Sequence, residues 1–175
     1  MLFRSSFDTE LAVEAEAIMK ERGVTLALGQ HATHIIEAEG KATGVQLKDG
    51  TIIEGDVIIL ATGYQPNTAL AKDADMHLDR YGGIWVDEFM RTRNKDIFAV
   101  GDCSGRRDFI TREPSKVMLA STSASEARVA GNSLYELRYL KGFKGTIAIF
   151  STMVGERVFA SAGVTEARAD RKSVV

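Results

Sequence analysis

The sequence predicts an α/β fold, and three observations lead there. An amphipathic helical pattern occupies residues 8–22. Several short β-type runs follow it and end on the continuously apolar Val57-Ile58-Ile59-Leu60-Ala61. A second, longer helical pattern begins near Ser115 or Lys116 and runs to about Lys141. Strand-dense and helical segments in one chain call for layers of helix on sheet.

In the first helix Asp8 is the expected N-cap and Glu10 lies in the first turn. Leu11, Ala15, Ile18 and Met19 form one stripe, and Gly23 ends the element. Strands are expected at Val24–Leu28, Thr33–Ala38, Thr43–Leu47 and Thr51–Ile53, with turns at Glu39-Gly40-Lys41 and Lys48-Asp49-Gly50. Val57–Ala61 has no polar alternation, so it reads as a central strand covered on both faces. Thr62 to Asn67 breaks the pattern, and residues 69–95 are loop-rich with "YGGIWVD" as one strand. Asp96–Val100 reads as a short buried strand that runs into Gly101-Asp102-Cys103. A polar loop, Ser104 to Pro114, leads to the long helix. There Ala120, Ala124, Ala127, Ala130, Leu134 and Leu137 recur at helical spacing. Small residues let a helix approach a sheet or a flat ligand, and helix–sheet packing is the simpler account. From Gly142 the chain reads as two strands about a turn near Gly155. An isolated hairpin is marginal in water, so the chain reads as stopping partway through a domain.

The composition is that of an ordinary globular protein, with 45% hydrophobic and 26% charged residues. A net charge of −2 without a basic block gives no footing for nucleic acid or an anionic membrane. The longest apolar run is far too short to span a bilayer. The N-terminus lacks the apolar core of a signal peptide. One cysteine cannot form an internal disulfide, so a cytoplasmic location is the expectation.

Among residues that could carry chemistry, His31 and His34 would point to opposite faces of a strand without an acid or cysteine cluster beside them. They read as surface histidines, as does His77 in its loop, and no metal site is expected. Cys103 has no second thiol to pair with and reads as a small half-buried residue after a turn. No catalytic residue is assigned. Asp102 follows an apolar strand and a glycine, where open α/β sheets bind ligands. Its carboxylate only accepts hydrogen bonds, which suits a polyol or sugar. Capping of the following loop is an equal alternative. No G-x-G-x-x-G, P-loop, G-x-S-x-G or H-E-x-x-H occurs.

Longer stretches resemble one family. Thr92 followed by "RNKDIFAVGDC" resembles the second flavin-binding motif of the pyridine nucleotide–disulfide oxidoreductases. "DVIILATGYQPNT", with Gly63 in its "ATG" turn, resembles the crossing from their NAD(P)H domain back to their FAD domain. "FDTELAVEAEAIMKERGVTLALG" and "GVQLKDGTIIEGDVIILATG" resemble the second half of the NAD(P)H domain. "LASTSASEARVAGNSLY" resembles the helix after the Gly-Asp motif, with Glu126-Ala127 replacing the usual Gln-Gly. "KGTIAIFSTMVGERVFASAGVTEARA" resembles the start of the interface domain of NADH oxidases, NADH peroxidases and coenzyme A-disulfide reductases.

The resemblance implies a partial doubly wound FAD/NAD(P)-binding fold with a β-meander, plus the start of an α+β interface domain. It divides the chain into residues 1–66, 67–141 and 142–175: NAD(P)H-domain half, FAD-domain segment and interface-domain start. Family members carry a FAD glycine loop, a redox cysteine and an NAD(P)H glycine loop upstream of the matching segments. The chain is therefore expected to be a C-terminal piece of a longer enzyme, and not to retain FAD tightly alone. The implied activity is hydride transfer from NAD(P)H to FAD and then to a disulfide, peroxide or oxygen. Alternatives are a flavin-dependent reductase of a ferredoxin-like protein and a non-catalytic dimerisation or binding remnant. By the resemblance Asp102 accepts a hydrogen bond from a ribitol hydroxyl of FAD, and Gly101 lets the backbone approach the flavin's tail. Lys116 and Val117 would start the long helix beside the isoalloxazine ring. A homo-oligomer, as a dimer, is the implied partner.

Overall fold

The computed structural model of the protein describes residues 6–136 and 142–170. They form two compact units: the chain up to Gly63 with Met153–Phe159, and Tyr64–Thr152 with the chain from Ala160 onward.

The first unit opens with helix α1, Thr9–Glu21. Asp8 is the N-cap residue in extended backbone, and its carbonyl receives Ala12 N–H at 3.1 Å; its side chain makes no capping bond. The fully inward positions are Ala12 and Ala15, while Leu11, Ile18 and Met19 are half-buried. Gly23, at φ +81°, ends the helix. Its N–H reaches Lys20 O at 2.9 Å and Val24 N–H reaches Met19 O at 3.0 Å, a Schellman closure. Three antiparallel strands then form a meander: β1 (Ala32–Ala38), β2 (Lys41–Leu47) and β3 (Ile52–Glu54). Glu39 and Gly40 both have positive φ, which matches the twist of the β1–β2 hairpin. Gly44 on β2 is required by close approach, since a Cβ there would fall 2.7 Å from Ile53 O.

Two expected strands are absent among the described residues. Val24–Leu28 has no strand geometry, and neither has Val57–Ala61. Val57, Ile59 and Leu60 are exposed instead of sandwiched. A strand exists through its ladder partners, and none of the described residues pairs with either run. The meander satisfies its central strand with its own neighbours.

The second unit contains the short helix α2 (Ala69–Asp73), β4 (Arg106–Arg107) paired antiparallel with β5 (Pro114–Ser115), and helix α3 (Ala120–Ser133). Helix α4 spans Glu166–Ala169, and a hairpin of β6 (Ile149–Val154) and β7 (Arg157–Ala162) turns at Gly155, φ +64°, with its tip, Met153–Phe159, assigned to the first unit. The strands expected at "YGGIWVD" and Asp96–Val100 shrink to single bridges, Leu78 with Ile84, Ile84 with Ser104, and Arg91 with Phe98. Local acceptors explain this. The Asp79 carboxylate takes Tyr81 and Gly83 N–H, and the Asp87 carboxylate takes Phe89 and Arg91 N–H. Those donors are then lost to any ladder. Val86, Met90, Ala99 and Ala130 make the apolar core, with Ile84, Phe98, Val100, Val129 and Phe143 packed on it.

Helix α3 starts at Ala120, later than Ser115 or Lys116, and the expected end at Lys141 lies outside the described residues. Its inward face is Thr122, Glu126, Ala130 and Ser133. Ala120, Ala124, Ala127 and Leu134 of the expected stripe are exposed, and Leu137 is outside the described residues. Polar partners rotated the helix: Thr122 Oγ1 bonds Thr146 Oγ1 at 2.8 Å, and Glu126 bonds Arg106. No helix among the described residues is long and apolar enough to cross a membrane.

Candidate functional site

Val100 is extended, at φ −137° and ψ 159°, and hands the chain to a single 3-10 turn, Gly101–Cys103. Gly101 sits at φ +80°, a conformation a side chain would strain. Both ends of the turn are anchored. Gly101 N–H donates to Glu126 Oε2 at 2.8 Å. Ser104 N–H and Oγ both donate to Gly101 O, at 3.0 and 2.8 Å. Asp102 stands between these anchors with its side chain 63% exposed. Its carboxylate takes no backbone N–H among the described residues, so loop capping does not account for it. Its partner is the Arg106 guanidinium, Nη2 to Oδ1 at 3.4 Å.

Arg106 and Glu126 are the two residues that sequence reasoning missed. Arg106 Nε donates to Glu126 Oε1 at 2.8 Å, and both side chains are almost fully buried. Arg106 Nη1 donates to Val117 O at 2.8 Å and Nη2 to Ser123 Oγ at 2.9 Å. A buried ion pair is tolerable only when its remaining donors and acceptors are met, and these bonds meet them. The signal available in the sequence was Glu126 itself, one helical turn from both Thr122 and Ala130 and standing where the resembling family has Gln.

The turn faces a cleft of about 230 Å³ whose lining includes Tyr64, Tyr81, Asp102, Arg106, Lys116 and Val117. Lys116 Nζ lies 4.8 Å from the centre of the Tyr81 ring, and Arg80 Cζ lies 4.9 Å from it. The cleft thus combines an exposed carboxylate with a ring flanked by two cations, of which Arg80 is also paired with Glu113 at 3.2 Å.

Of the expected site residues, Asp102, Lys116 and Val117 meet at this cleft, and Gly101 anchors the turn behind Asp102. Gly63 is the last residue of the first unit, at φ +104°, and is not a lining residue. Lys116 and Val117 do not begin a helix. Val117 lies between β5 and α3 in neither strand nor helix; its carbonyl accepts from Arg106 Nη1 at 2.8 Å and its N–H donates to Ser115 Oγ at 3.3 Å. The helix N-terminus lies at Ala120, and Ala120 is not in the lining. Cys103 is half-buried, donates to Val100 O at 3.4 Å and does not line the cleft. His31 and His34 are exposed, and no group of three His, Cys, Asp or Glu among the described residues is placed to hold a metal.

Residues 1–127 match the family described as pyridine nucleotide-disulphide oxidoreductase. The chain belongs to that family. An NADH oxidase of Enterococcus faecalis is 30% identical over 152 residues, spanning 86% of this chain and 33% of that protein. The NAD(P)H coenzyme A polysulfide/persulfide reductase of Pyrococcus horikoshii is 32% identical over 170 residues, spanning 96% of this chain and 37% of that protein. The solved structure of an FAD-dependent pyridine nucleotide-disulphide oxidoreductase from Desulfovibrio vulgaris superposes with a TM-score of 0.84 at 29% identity, covering 97% of this chain and 42% of that one. The chain spans about a third of the length of these two curated relatives. Its α/β architecture is that of the FAD- and NAD-binding oxidoreductases, and the relatives named here are all oxidoreductases.

Proposed function

We propose that this chain supplies part of the flavin site of a FAD- and NAD(P)H-dependent oxidoreductase, with Asp102 accepting a hydrogen bond from a hydroxyl of the flavin's polyol. The observation that carries this is the exposed Asp102 carboxylate on a turn anchored at both ends, facing the cleft. The residues fit the cofactor in kind. A carboxylate accepts from hydroxyls, and Lys116 and Arg80 over Tyr81 offer positive charge beside a flat surface. Whole-ligand pockets run to about 300–1,000 Å³, so a cleft of about 230 Å³ accommodates one segment of a dinucleotide. Gly101 shapes the turn from behind Asp102, and Val117 lines the same cleft. FAD, when bound, supplies hydride acceptance from NAD(P)H and onward delivery to a disulfide, peroxide or oxygen. In this reading residues 1–66 belong with nicotinamide binding, 67–141 with flavin binding and 142–175 with association of two copies. The exposed Ile149 of β6, 58% accessible, supports the last assignment.

Titration of the chain with FAD, followed by flavin fluorescence, tests the reading. Weak but saturable binding is expected. Asp102→Ala should lower the affinity by about ten- to a hundredfold, the effect of losing a hydrogen bond to a charged group. No saturable binding, or the same affinity without the carboxylate, would overturn it.

A further inference from the structure

The Arg106 guanidinium is a bridge between two parts of the cleft, Asp102 and Val117, that are fifteen positions apart in sequence. On one side Nη2 lies 3.4 Å from Asp102 Oδ1. On the other Nη1 donates to Val117 O at 2.8 Å. Both residues line the cleft, and so does Arg106. The fork is planar and rigid, so its orientation sets the separation of the groups it holds. Glu126 sets that orientation. Its Oε1 takes Nε at 2.8 Å, and its Oε2 takes Nη2 at 3.3 Å and Gly101 N–H at 2.8 Å, with Ser104 Oγ, which also donates to Gly101 O, 3.2 Å away. One carboxylate, 0% exposed, therefore fixes both the turn that carries Asp102 and the cation that steadies it. Ser123 Oγ, from the turn of α3 just before Glu126, accepts from Nη2 at 2.9 Å.

We propose that Arg106 and Glu126 are positioning residues for ligand capture at Asp102, and that the bridge fixes the spacing between the Asp102 carboxylate and the Val117 backbone. This rests on the flavin reading above. A side chain 63% exposed, as Asp102 is, would otherwise sample several rotamers and give up that freedom on binding. A steadied carboxylate loses less on capturing a hydroxyl, which is the general benefit of preorganisation. Lysine does not reproduce this arrangement, because one ammonium on a flexible stem cannot engage Asp102, Val117 O and Glu126 through separate fixed donors.

Stability and capture separate the positioning role from mere packing. Melting temperature and FAD affinity are measured on the full chain for Arg106→Gln, Glu126→Gln, the double Arg106→Gln/Glu126→Gln and Arg106→Lys. Removing one partner of a buried pair is severe, whereas removing both charges together is often close to neutral. Arg106→Gln should lower the melting temperature by about 6–20 °C, and the double variant should recover most of that. FAD affinity should stay at least about tenfold weaker in the double variant, because the fork is gone. Arg106→Lys keeps the charge against Glu126 and should show the same loss of affinity; it provides the result if Arg106→Gln does not fold. Affinity that recovers in step with melting temperature, or that is unchanged in Arg106→Lys, would overturn the inference while leaving Asp102-dependent binding intact. Absence of saturable FAD binding by the unsubstituted chain would overturn the flavin reading and this inference together.

Discussion

Val57, Ile59 and Leu60 are 76%, 84% and 73% exposed, whereas Glu126, Asp108 and Arg106 are 0%, 1% and 3% exposed. The apolar run in the first unit lies open, and the charged residues of the second unit lie inside. Hydrophobicity alone would order them the other way. The difference is partners. Each buried charge has its bonds: Glu126 and Arg106 have each other, and Asp108 Oδ1 takes Ile110 and Thr111 N–H at 3.0 and 2.8 Å. The apolar run has no ladder among the described residues, so its pattern has nothing to be buried against. Apolar surface drives burial only where a complementary surface exists, and a buried charge persists only where its hydrogen bonds are met.

The strongest way to sharpen the contrast is Arg106→Met. Leaving Glu126 buried without its cation should cost about 3–5 kcal/mol. Denaturant unfolding of the second unit would read it, and a loss below about 1 kcal/mol would show that Glu126 is hydrated in solution. Asp108→Ala comes next. It removes the acceptor of two backbone donors in the Asp108–Arg112 turn and should cost about 1–3 kcal/mol. A cooperative unfolding curve identical to the parent's would place that turn's donors in water. Ile59→Asp tests the other half of the comparison. At 84% exposure the change should stay within about 0.5 kcal/mol. A larger loss, or a change in sedimentation, would mean that residues 57–60 are covered in solution.

The smallest effect concerns pH. Thr51 backbone N–H, 2.9 Å from Asp49 Oδ1, holds the Asp49 carboxyl below its ordinary 3.8, with the Thr51 side chain adding to it. A folded-state value below the unfolded one stabilises the hairpin above the unfolded value and is lost as the pH falls through the folded one. The contribution is therefore full at neutral pH and fades only below about pH 4. Carboxyl resonances followed by NMR from pH 6 to 2 should place the Asp49 midpoint below 3.8. A midpoint at or above that value would show that the Asx turn is open in solution.

Local chemistry made much of the molecule legible. The cap position of Asp8, the closing Gly23, and the Glu39-Gly40 and Asp49-Gly50 turns involve partners a few residues apart, and all form. Gly101 and Asp102 were legible for the same reason, since an apolar run that ends on glycine and acid signals a turn with an exposed carboxylate. Other features were not legible, among them the strands expected at "YGGIWVD" and Asp96–Val100, which shrink to bridges. Val24–Leu28 and Val57–Ala61 carry strand composition, but strand formation depends on a second chain segment. The start of α3 moved to Ala120 because Arg106, eleven residues upstream of Val117, ties up the Val117 carbonyl. The inward face of α3 was misassigned to alanines because periodicity weighs apolar residues and overlooks a glutamate with a buried cation waiting for it.

The sequence by itself determined the family, the local turns, α1, the meander and the identity of the acid that faces the cleft. Tertiary structure alone decided which charges are buried, where α3 begins and what steadies Asp102. The reason is range. A turn or cap is settled by bonds between near neighbours, whereas Glu126 and Arg106 stand twenty residues apart, and burial becomes favourable for either only once the fold has delivered the other.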